Sequence, residues 1–434
     1  MPKTALVPII KLGSANGNRL LAKIKQAREM RDTGALATVQ GVINDIRSKG
    51  DVALFAYTKK FDKIALTKKT IRLSTADIAA RAKDVPADYA RALKEAAKRI
   101  IAYHKHQKST AFSITTPEGE LSQIVRPLAR VGVYVPGGYT MYPSSILMDV
   151  IPAQIAGVRE IAVVTPPRGE LDPRIAYALH MLHVEEVYQV GGAQAVAALA
   201  YGTHSIRAVD KIVGPGNLYV ALAKKLVYGA VDIDAVAGPS EVLVLADSSA
   251  NPNWIALDLL AQAEHGSGNE SALCVTEDEA LAKAVCAEVA REIAVSPVRS
   301  VFEKLSPNSI AVCVASSREE SIRFVNECGP EHLQIITRTV KKDLSKIENA
   351  GAVFCGPYTP VALGDYYIGT NHVLPTGGAA RYASPLGVES FLKRMSVATI
   401  SESGLKKCAS QVSILARAEK FVHHALSVER RAQS

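Results

Sequence analysis

The sequence predicts an α/β fold built on two parallel β-sheets, and three features lead to this prediction. Apolar strand-like runs alternate with helical segments across residues 126–239, and a second alternating series occupies residues 240–376. Three strands of the first series end in glycine turns that open helices. Such repeats favour parallel sheets with crossover helices, so we expect two incomplete, doubly wound, Rossmann-like domains.

Length and composition agree with a soluble protein of more than one domain. A chain of 434 residues is too long for a single core. Its 51 basic residues exceed its 42 acidic residues, which raises the question of a nucleic-acid partner. The basic residues form scattered pairs, however, and aromatic residues make up only 6% of the chain, so surfaces for base stacking are scarce. We therefore expect no nucleic-acid partner.

The cysteines and the hydropathy pattern indicate a cytoplasmic location. None of the six cysteines belongs to a C-x-x-C pair, and free buried thiols suit a reducing compartment. The N-terminus has no sustained apolar run of the secretory type, and no apolar run approaches the roughly 18 residues that a membrane span requires. We expect a cytoplasmic protein with no membrane partner.

The chain begins with an arm and a helical region. Residues 1–27 are expected to form a short N-terminal arm, after which apolar residues recur at helical spacing up to about residue 107. A polar segment leads from there to residue 126. The predicted helices of this region cover residues 39–46, 52–57 and 86–106.

The two alternating series follow, and a helical C-terminus ends the chain. In the first series, strands are predicted over residues 131–135, 161–165, 187–190 and 211–213, and helices over 143–156, 174–182, 194–201 and 218–228. In the second, strands are predicted over 242–245, 272–275, 310–314, 333–336 and 352–355, and helices over 252–265, 279–293, 318–327 and 340–347. The C-terminal helices are predicted over 388–394 and 404–430.

The glycine turns of the first series are candidates for a nucleotide site. They are Pro136-Gly137-Gly138, Gly191-Gly192 and Gly214-Pro215-Gly216-Asn217. The carboxyl ends of parallel strands share one edge of a sheet, where ligands bind, and the helix N-termini that follow favour phosphate. None of the turns spells G-x-G-x-x-G, so tight turns without a ligand are the alternative.

A second group of side chains has the chemistry of a metal site. Gln262 and His265 are three residues apart, which places them on one face at the end of a predicted helix. Asp365 lies in a polar loop over residues 363–376, and either His423 or His424 would supply a second nitrogen. Zinc accepts two nitrogens and two oxygens. Since zinc has no redox chemistry, an oxidation would require a nicotinamide dinucleotide at the glycine turns.

An acid and an imidazole stand side by side before another strand. Glu331 and His332 follow Gly329-Pro330 and precede the strand predicted over 333–336. His372, in the polar loop, is a further candidate for contact with a substrate.

The ordered motifs of the chain resemble those of the histidinol dehydrogenases. The likeness runs from about Val39 to Arg430. The matching motifs are Pro136-Gly-Gly138, Tyr142-Pro-Ser-Ser145, Val190-Gly-Gly-Ala-Gln-Ala195, Val213-Gly-Pro-Gly-Asn217, Ala237-Gly-Pro-Ser-Glu241, Gln262-Ala-Glu-His265, Gly329-Pro-Glu-His332, Gly364-Asp365 and Gly369-Thr-Asn-His-Val-Leu-Pro-Thr376.

The resemblance implies a homodimeric enzyme that uses one zinc ion per subunit and NAD to oxidise L-histidinol to L-histidine through bound L-histidinal. It implies that Glu331 and His332 are catalytic, in which case His332 suits the removal of a hydroxyl proton and Glu331 suits the activation of water. It implies zinc ligands at Gln262, His265, Asp365 and His424, NAD contacts at Tyr134, Gln194 and Asn217, and substrate contacts at Ser240, Gln262, His265, His332, Asp365, His372, Glu419 and His424.

The domain prediction follows the same outline. Residues 28–125 are grouped with 240–376 as a discontinuous domain that carries the zinc and catalytic residues, and residues 126–239 as the NAD-binding domain. The C-terminal segment, residues 385–434, is expected to cross to the other subunit in a domain-swapped dimer, so that Glu419 and His424 complete the partner's site.

Three alternatives remain open at the level of sequence. A relative on the same scaffold could oxidise another small alcohol, such as a sulfonated diol. A zinc hydrolase could use Glu331 to activate water, although the glycine turns argue against it. The net charge of +9 is the only feature that favours a nucleic-acid binder.

Overall fold

The computed structural model describes residues 7–27, 33–107, 109–137, 142–167, 169–236 and 238–433. Two residues of the matched motifs, Gly138 and Ala237, lie outside these ranges. Within them the chain forms two six-stranded sheets and one three-stranded sheet. The predicted α/β architecture with parallel sheets is confirmed.

The first sheet is formed by strands that are buried on both faces. Every residue of β5 is buried, as expected of a strand covered by helices on both sides. The strand order is β2-β7-β6-β5-β8-β9, parallel throughout except for the pairing of β2 with β7. The strands are β2 (Arg72–Leu73), β5 (Arg130–Tyr134), β6 (Glu160–Thr165), β7 (Glu186–Gln189), β8 (Lys211–Val213) and β9 (Asp232–Ile233).

Helices cover both faces of this sheet, and four of them come from the N-terminal helical region. One face packs against α2, α3, α8 and α9, and the other against α4, α5, α6 and α7. The helices are α2 (Thr33–Lys49), α3 (Asp51–Asp62), α4 (Thr75–Ala82), α5 (Ala87–His104), α6 (Pro143–Ala156), α7 (Pro173–Met181), α8 (Gly192–Tyr201) and α9 (Leu218–Val227).

This packing corrects one domain prediction. Residues 28–125 were grouped with 240–376, but Val39, Ile43 and Ile46 of α2 lie in the same core as α8 and α9. The apolar stripe of α2 identifies a buried face without identifying the sheet that covers it. Helices α2 to α5 therefore belong with residues 126–239.

The second sheet is parallel throughout, with the order β1-β12-β11-β10-β13-β14. The predicted N-terminal arm supplies its edge strand β1, and the following helix α1 packs on α13. The strands are β1 (Ile9–Lys11), β10 (Glu241–Ala246), β11 (Ser271–Thr276), β12 (Ile310–Val314), β13 (His332–Ile336) and β14 (Ala352–Cys355). The helices are α1 (Ala15–Ala27), α10 (Pro252–Ala263), α11 (Glu279–Val295), α12 (Arg299–Phe302), α13 (Arg318–Cys328), α14 (Val340–Leu344) and α15 (Val361–Tyr366).

The C-terminal part forms an antiparallel sheet and a helical hairpin. The small sheet has the order β15-β4-β3, and its strands are β3 (Phe112–Thr116), β4 (Gly119–Pro127) and β15 (Leu392–Ile400). Helices α16 (Glu402–Ala418) and α17 (Val422–Gln433) pack against each other. The helix predicted over 388–394 is wrong beyond the short 3-10 turn Val388–Phe391, because the next residues pair with β4.

Two further predictions concern thiols and membranes. The six cysteines all lie within the described residues, and no disulfide joins them. Among the described residues, no helix is long and apolar enough to cross a bilayer.

Candidate active site

The candidate catalytic residues lie where β10 and β13 begin. Val242 of β10 pairs with His332 of β13, so Ser240, Glu241 and Glu331 meet at the amino ends of two neighbouring strands. Gly238 donates its backbone N–H to Thr376 Oγ1 at 2.6 Å, which ties the loop before β10 to the polar loop after α15.

His332 is buried, and its ring is held in one tautomer. Its Nδ1 lies 2.9 Å from the carbonyl oxygen of Glu241, so Nδ1 carries the proton and donates it. Its Nε2 is buried and has no hydrogen-bond partner within the described part of the chain. Burial lowers the pKa of His332 to about 4, and the neighbouring His265 and His372 add to that effect. The ring is therefore neutral near pH 7, with a free lone pair on Nε2.

Two carboxyl groups flank this ring. Asp365 Oδ1 lies 4.0 Å from His332 Nε2, and Glu331 Oε2 lies 3.7 Å from Nδ1. Glu331 is buried and accepts the backbone N–H of Glu241 at 2.9 Å. Burial raises the pKa of Glu331 well above its ordinary value, and burial raises that of Asp365 to about 6. A carboxylate with a raised pKa is a stronger base than a solvated one.

Gln262 and His265 come together as the sequence predicts, although His265 lies two residues beyond the end of α10. Gln262 Nε2 is 3.4 Å from His265 Nδ1, and Ser240 Oγ is 3.1 Å from the same nitrogen. Gln262 is buried in the last turn of α10, and this packing fixes its carboxamide. These contacts place an amide oxygen, an imidazole and a hydroxyl in one cluster.

The predicted polar loop begins as a helix. Asp365 lies in the short helix α15, and its carbonyl oxygen is 3.1 Å from His372 Nδ1. His372 Nε2 faces Ser145 Oγ of α6 at 3.5 Å. Burial lowers the pKa of His372 to about 4, so this ring too is neutral near pH 7. A helix of the first sheet thus contacts the site built on the second.

The three predicted NAD contacts lie at the carboxyl edge of the first sheet. Tyr134 ends β5, and its hydroxyl accepts the backbone N–H of Gly192 at 3.0 Å. Gln194 is buried in the first turn of α8, and none of the residues that the structure describes forms a hydrogen bond with its Oε1. Asn217 caps α9 and is exposed. An unsatisfied buried acceptor beside a helix N-terminus is a place where a ligand donor fits.

The last two predicted site residues lie on the C-terminal helices. Glu419 ends α16 and His424 lies in α17, both exposed. The His424 ring contacts Phe421, with 5.1 Å between ring centroids. Over the described residues, no three His, Cys, Asp or Glu side chains of one chain form a metal-binding group. Gln262, His265 and Asp365 would offer two oxygens and one nitrogen to a metal ion, a donor set that zinc accepts and that leaves a fourth ligand to be added.

Sequence reasoning gave no role to several residues that shape the site. Glu241 holds both His332 and Glu331 through its backbone. Asn371 donates to the Met148 carbonyl oxygen at 2.8 Å and so fixes the polar loop on α6. The only signal for Ser145 was its place in the motif after the first glycine turn.

Comparisons with known proteins agree with this arrangement. A histidinol dehydrogenase from Bacillus thuringiensis subsp. konkukian is 44% identical over 416 residues, which cover 95% of this chain and 96% of the relative. One from Moorella thermoacetica is 45% identical and covers 92% of this chain and 95% of its own length. The crystal structure of histidinol dehydrogenase from Elizabethkingia anophelis superposes with a TM-score of 0.91 at 35% identity, over 99% of this chain and 98% of that one. Residues 25–432 match the histidinol dehydrogenase family, and the chain belongs to that family.

Proposed function

We propose that this protein oxidises L-histidinol to L-histidine in two NAD-linked steps through L-histidinal, the last steps of histidine biosynthesis. The observation that carries the proposal is His332, a buried neutral imidazole whose Nε2 lies 4.0 Å from Asp365 Oδ1, with the contacting group of His265, Gln262 and Ser240 nearby. A relative that oxidises a sulfonated diol is not favoured, because the curated relatives at 41–45% identity are histidinol dehydrogenases.

The first oxidation needs a base for the hydroxyl proton of the substrate. The alcohol loses a proton from oxygen and a hydride from carbon, which gives the aldehyde. His332 Nε2 accepts the proton, and the Glu241 carbonyl oxygen stabilises the positive ring through its bond to Nδ1. Asp365, 4.0 Å away, adds a negative charge that favours the protonated ring.

The second oxidation needs water. Water adds to the aldehyde carbon, one proton leaves it, and the hydrate then loses a hydride and its remaining hydroxyl proton to give the carboxylate. Glu331 suits the role of base toward water, since burial raises its pKa and the Glu241 N–H orients its carboxylate. His332 suits the removal of the proton from the hydrate.

Zinc would be held by Gln262, His265 and Asp365 with His424 of the partner subunit, and Ser240 lies within hydrogen-bond distance of His265. Bound zinc would supply Lewis acidity and a fixed point for the imidazole and amine of the substrate. His372 and the partner's Glu419 are proposed substrate contacts. The homodimer and the exchange of C-terminal segments follow from this ligand set, because His424 is exposed and, within the described part of its own chain, forms no metal-binding group with His265 and Asp365.

NAD would lie along the glycine turns of the first sheet, against Tyr134, Gln194 and Asn217, and would accept a hydride in each step. The Gln194 Oε1 is an unsatisfied acceptor there, and Gly192 has a positive φ of 63° that keeps the turn tight. We further propose a cytoplasmic location, where NAD and zinc are both available to a biosynthetic enzyme.

The test is NADH formation by the zinc-loaded protein with L-histidinol and, in parallel, with dihydroxypropanesulfonate. We expect about two NADH per histidinol consumed, because the two oxidations remove four electrons, and no comparable rate with the sulfonate. Faster turnover of the sulfonate would favour the related alcohol dehydrogenase. Hydrolytic activity that requires zinc and no NAD would favour the hydrolase.

A further inference from the structure

A lysine and an aspartate are buried together beneath the glycine turns of the first sheet. Lys224 of α9 is 2% exposed, and its Nζ forms an ion pair with Asp234, whose side chain is 5% exposed. Ionised side chains are almost never so completely buried unless each is paired and hydrogen-bonded. Neither residue contacts the catalytic cluster, and the proposed reaction gives them no role.

Both charged groups of this pair form hydrogen bonds with one residue, Gly214. Lys224 Nζ donates to the carbonyl oxygen of Gly214 at 2.9 Å. Asp234 Oδ2 accepts the backbone N–H of Gly214 at 2.8 Å. The two peptide groups on either side of Gly214 are therefore held by opposite charges, and hydrogen bonds to charged groups are stronger than neutral ones.

Gly214 has no freedom to move away from these contacts. Its φ is 109°, a conformation that favours glycine, and a Cβ built there would overlap the carbonyl oxygen of Tyr134. Tyr134 in turn accepts the N–H of Gly192, which opens the neighbouring turn. Tyr134 therefore contacts both glycine turns, through its backbone at Gly214 and through its hydroxyl at Gly192, and Gly214 begins the turn that ends in Asn217.

A second buried acid, Asp149, lies near this pair. Asp149 of α6 is fully buried, and neither of its carboxyl oxygens has a hydrogen-bond partner among the described residues. Burial and the nearby Asp234 raise the pKa of Asp149 well above its ordinary value. Lys224 acts on the pKa of Asp149 in the opposite direction, so both members of the pair act electrostatically on this acid.

We propose that Lys224 and Asp234 form a clamp that fixes the backbone at Gly214 and so positions the turn carrying Asn217 for the dinucleotide. They are positioning residues, since they act through the backbone of Gly214. The role rests on the proposed NAD-dependent function. It predicts that the pair controls the affinity for NAD and leaves the chemical steps on the second sheet unchanged.

The experiment compares K224M with the double variant K224M/D234N in the zinc-loaded protein. The double variant removes both charges and leaves no unpaired ion in the core, which protects it from unfolding. In both we expect the KM for NAD and the Kd for NADH, from a fluorescence titration, to rise about tenfold. The KM for histidinol and kcat should stay within about twofold of wild type, since the lost interaction serves cofactor binding alone.

A matched control is R130M. Arg130 forms a largely buried ion pair with Glu186 in the same sheet, at 2.6 Å, where the strands begin and away from the glycine turns. It should lower the thermal unfolding midpoint without changing the Kd for NADH. The clamp is overturned if folded K224M and K224M/D234N bind NADH like wild type. It is also overturned if all kinetic constants change together, as a loss of folded protein would cause, or if neither variant folds. The NADH titration needs no turnover, so a wild-type protein that binds NADH and does not oxidise histidinol would overturn the proposed substrate and leave the clamp testable.

Discussion

The tautomer of His332 determines which proton this residue can move. Nδ1 is committed to the Glu241 carbonyl oxygen, so Nε2 is the only nitrogen that can act as a base. We expect H332N to slow oxidation of histidinol by about 10² to 10⁴-fold, because asparagine keeps a donor near Glu241 and has no basic nitrogen. The oxidation of histidinal should retain more activity, since Glu331 remains to activate water. Single-turnover rates with each substrate measure the two steps separately.

The control for this prediction is H106N, which alters an exposed histidine at the end of α5. It should change neither rate. Equal losses of both steps in H332N would contradict the division of labour between His332 and Glu331, and would assign one base to both oxidations.

Some of these residues are visible in the sequence because their chemistry is local. Glu331 and His332 are adjacent, and Gln262 and His265 are one helical turn apart, so their types and spacing are enough to select them. Ser145 contacts His372 across 227 positions of the chain, and the role of Glu241 belongs to its backbone. No pattern of residue types indicates either contact.

Among the secondary-structure elements, α5 contacts the polar loop over residues 363–376 through a buried histidine. His104 Nδ1 donates to the Ile100 carbonyl oxygen at 2.8 Å, and its Nε2 lies 3.4 Å from Asn371 Nδ2. Nε2 therefore accepts from Asn371 and is unprotonated. A proton on Nε2 would face another donor, and burial already lowers the pKa of His104. The same Asn371 amide fixes the loop to α6.

Acid should therefore weaken this junction. The pKa of His104 is lower in the folded chain than the unfolded value near 6.5, so its contribution to stability is complete above about pH 6.5 and is lost as the pH falls through the folded value. We expect the thermal unfolding midpoint to fall further between about pH 7.5 and about pH 5.5 in wild type than in H104Q. The difference in unfolding free energy over that interval is about 1.4 kcal/mol at most. H106Q is the control, and the same pH dependence in wild type and H104Q would contradict the prediction.

The strands and helices could be predicted where burial leaves a recognisable pattern of apolar residues in the sequence. Strands β5, β6 and β8 are almost continuous apolar runs, because helices cover both faces of their sheet. Strand β15 was missed for the opposite reason. Its residues are nearly all exposed, so no alternation marks it, and it pairs with β4, which lies about 270 positions earlier.

For the whole molecule, the sheets could be predicted from the sequence better than the way the parts assemble. The amphipathic pattern of α2 shows that one face is buried, but both sheets offer an apolar surface to cover it. The N-terminal arm likewise contains a mixture of polar and apolar residues that predicts no strand, and β1 is evident only from its pairing with β12. Long-range packing of this kind depends on the shape of both partners, which composition does not encode.

The C-terminal hairpin of α16 and α17 exposes apolar side chains around the two predicted site residues that it carries. Ile414 and Leu415 precede Glu419 and are 65% and 67% exposed, and Phe421, three residues before His424, is 52% exposed. An exposed apolar patch of this kind is typical of a surface that another chain covers. It supports the proposal that Glu419 and His424 complete the site of the partner subunit.

Subunit mixing tests this proposal directly. H424A and E331Q should each be nearly inactive as homodimers, because each lacks one essential group in both sites. In a mixed dimer, one site combines an intact Glu331 with an intact His424 of the partner subunit. Random exchange makes half of the dimers mixed with one working site each, so we expect about one quarter of wild-type activity. Mixing H424A with itself is the control, and no recovery in the mixed sample, with exchange verified by differently tagged chains, would place the whole site within one subunit.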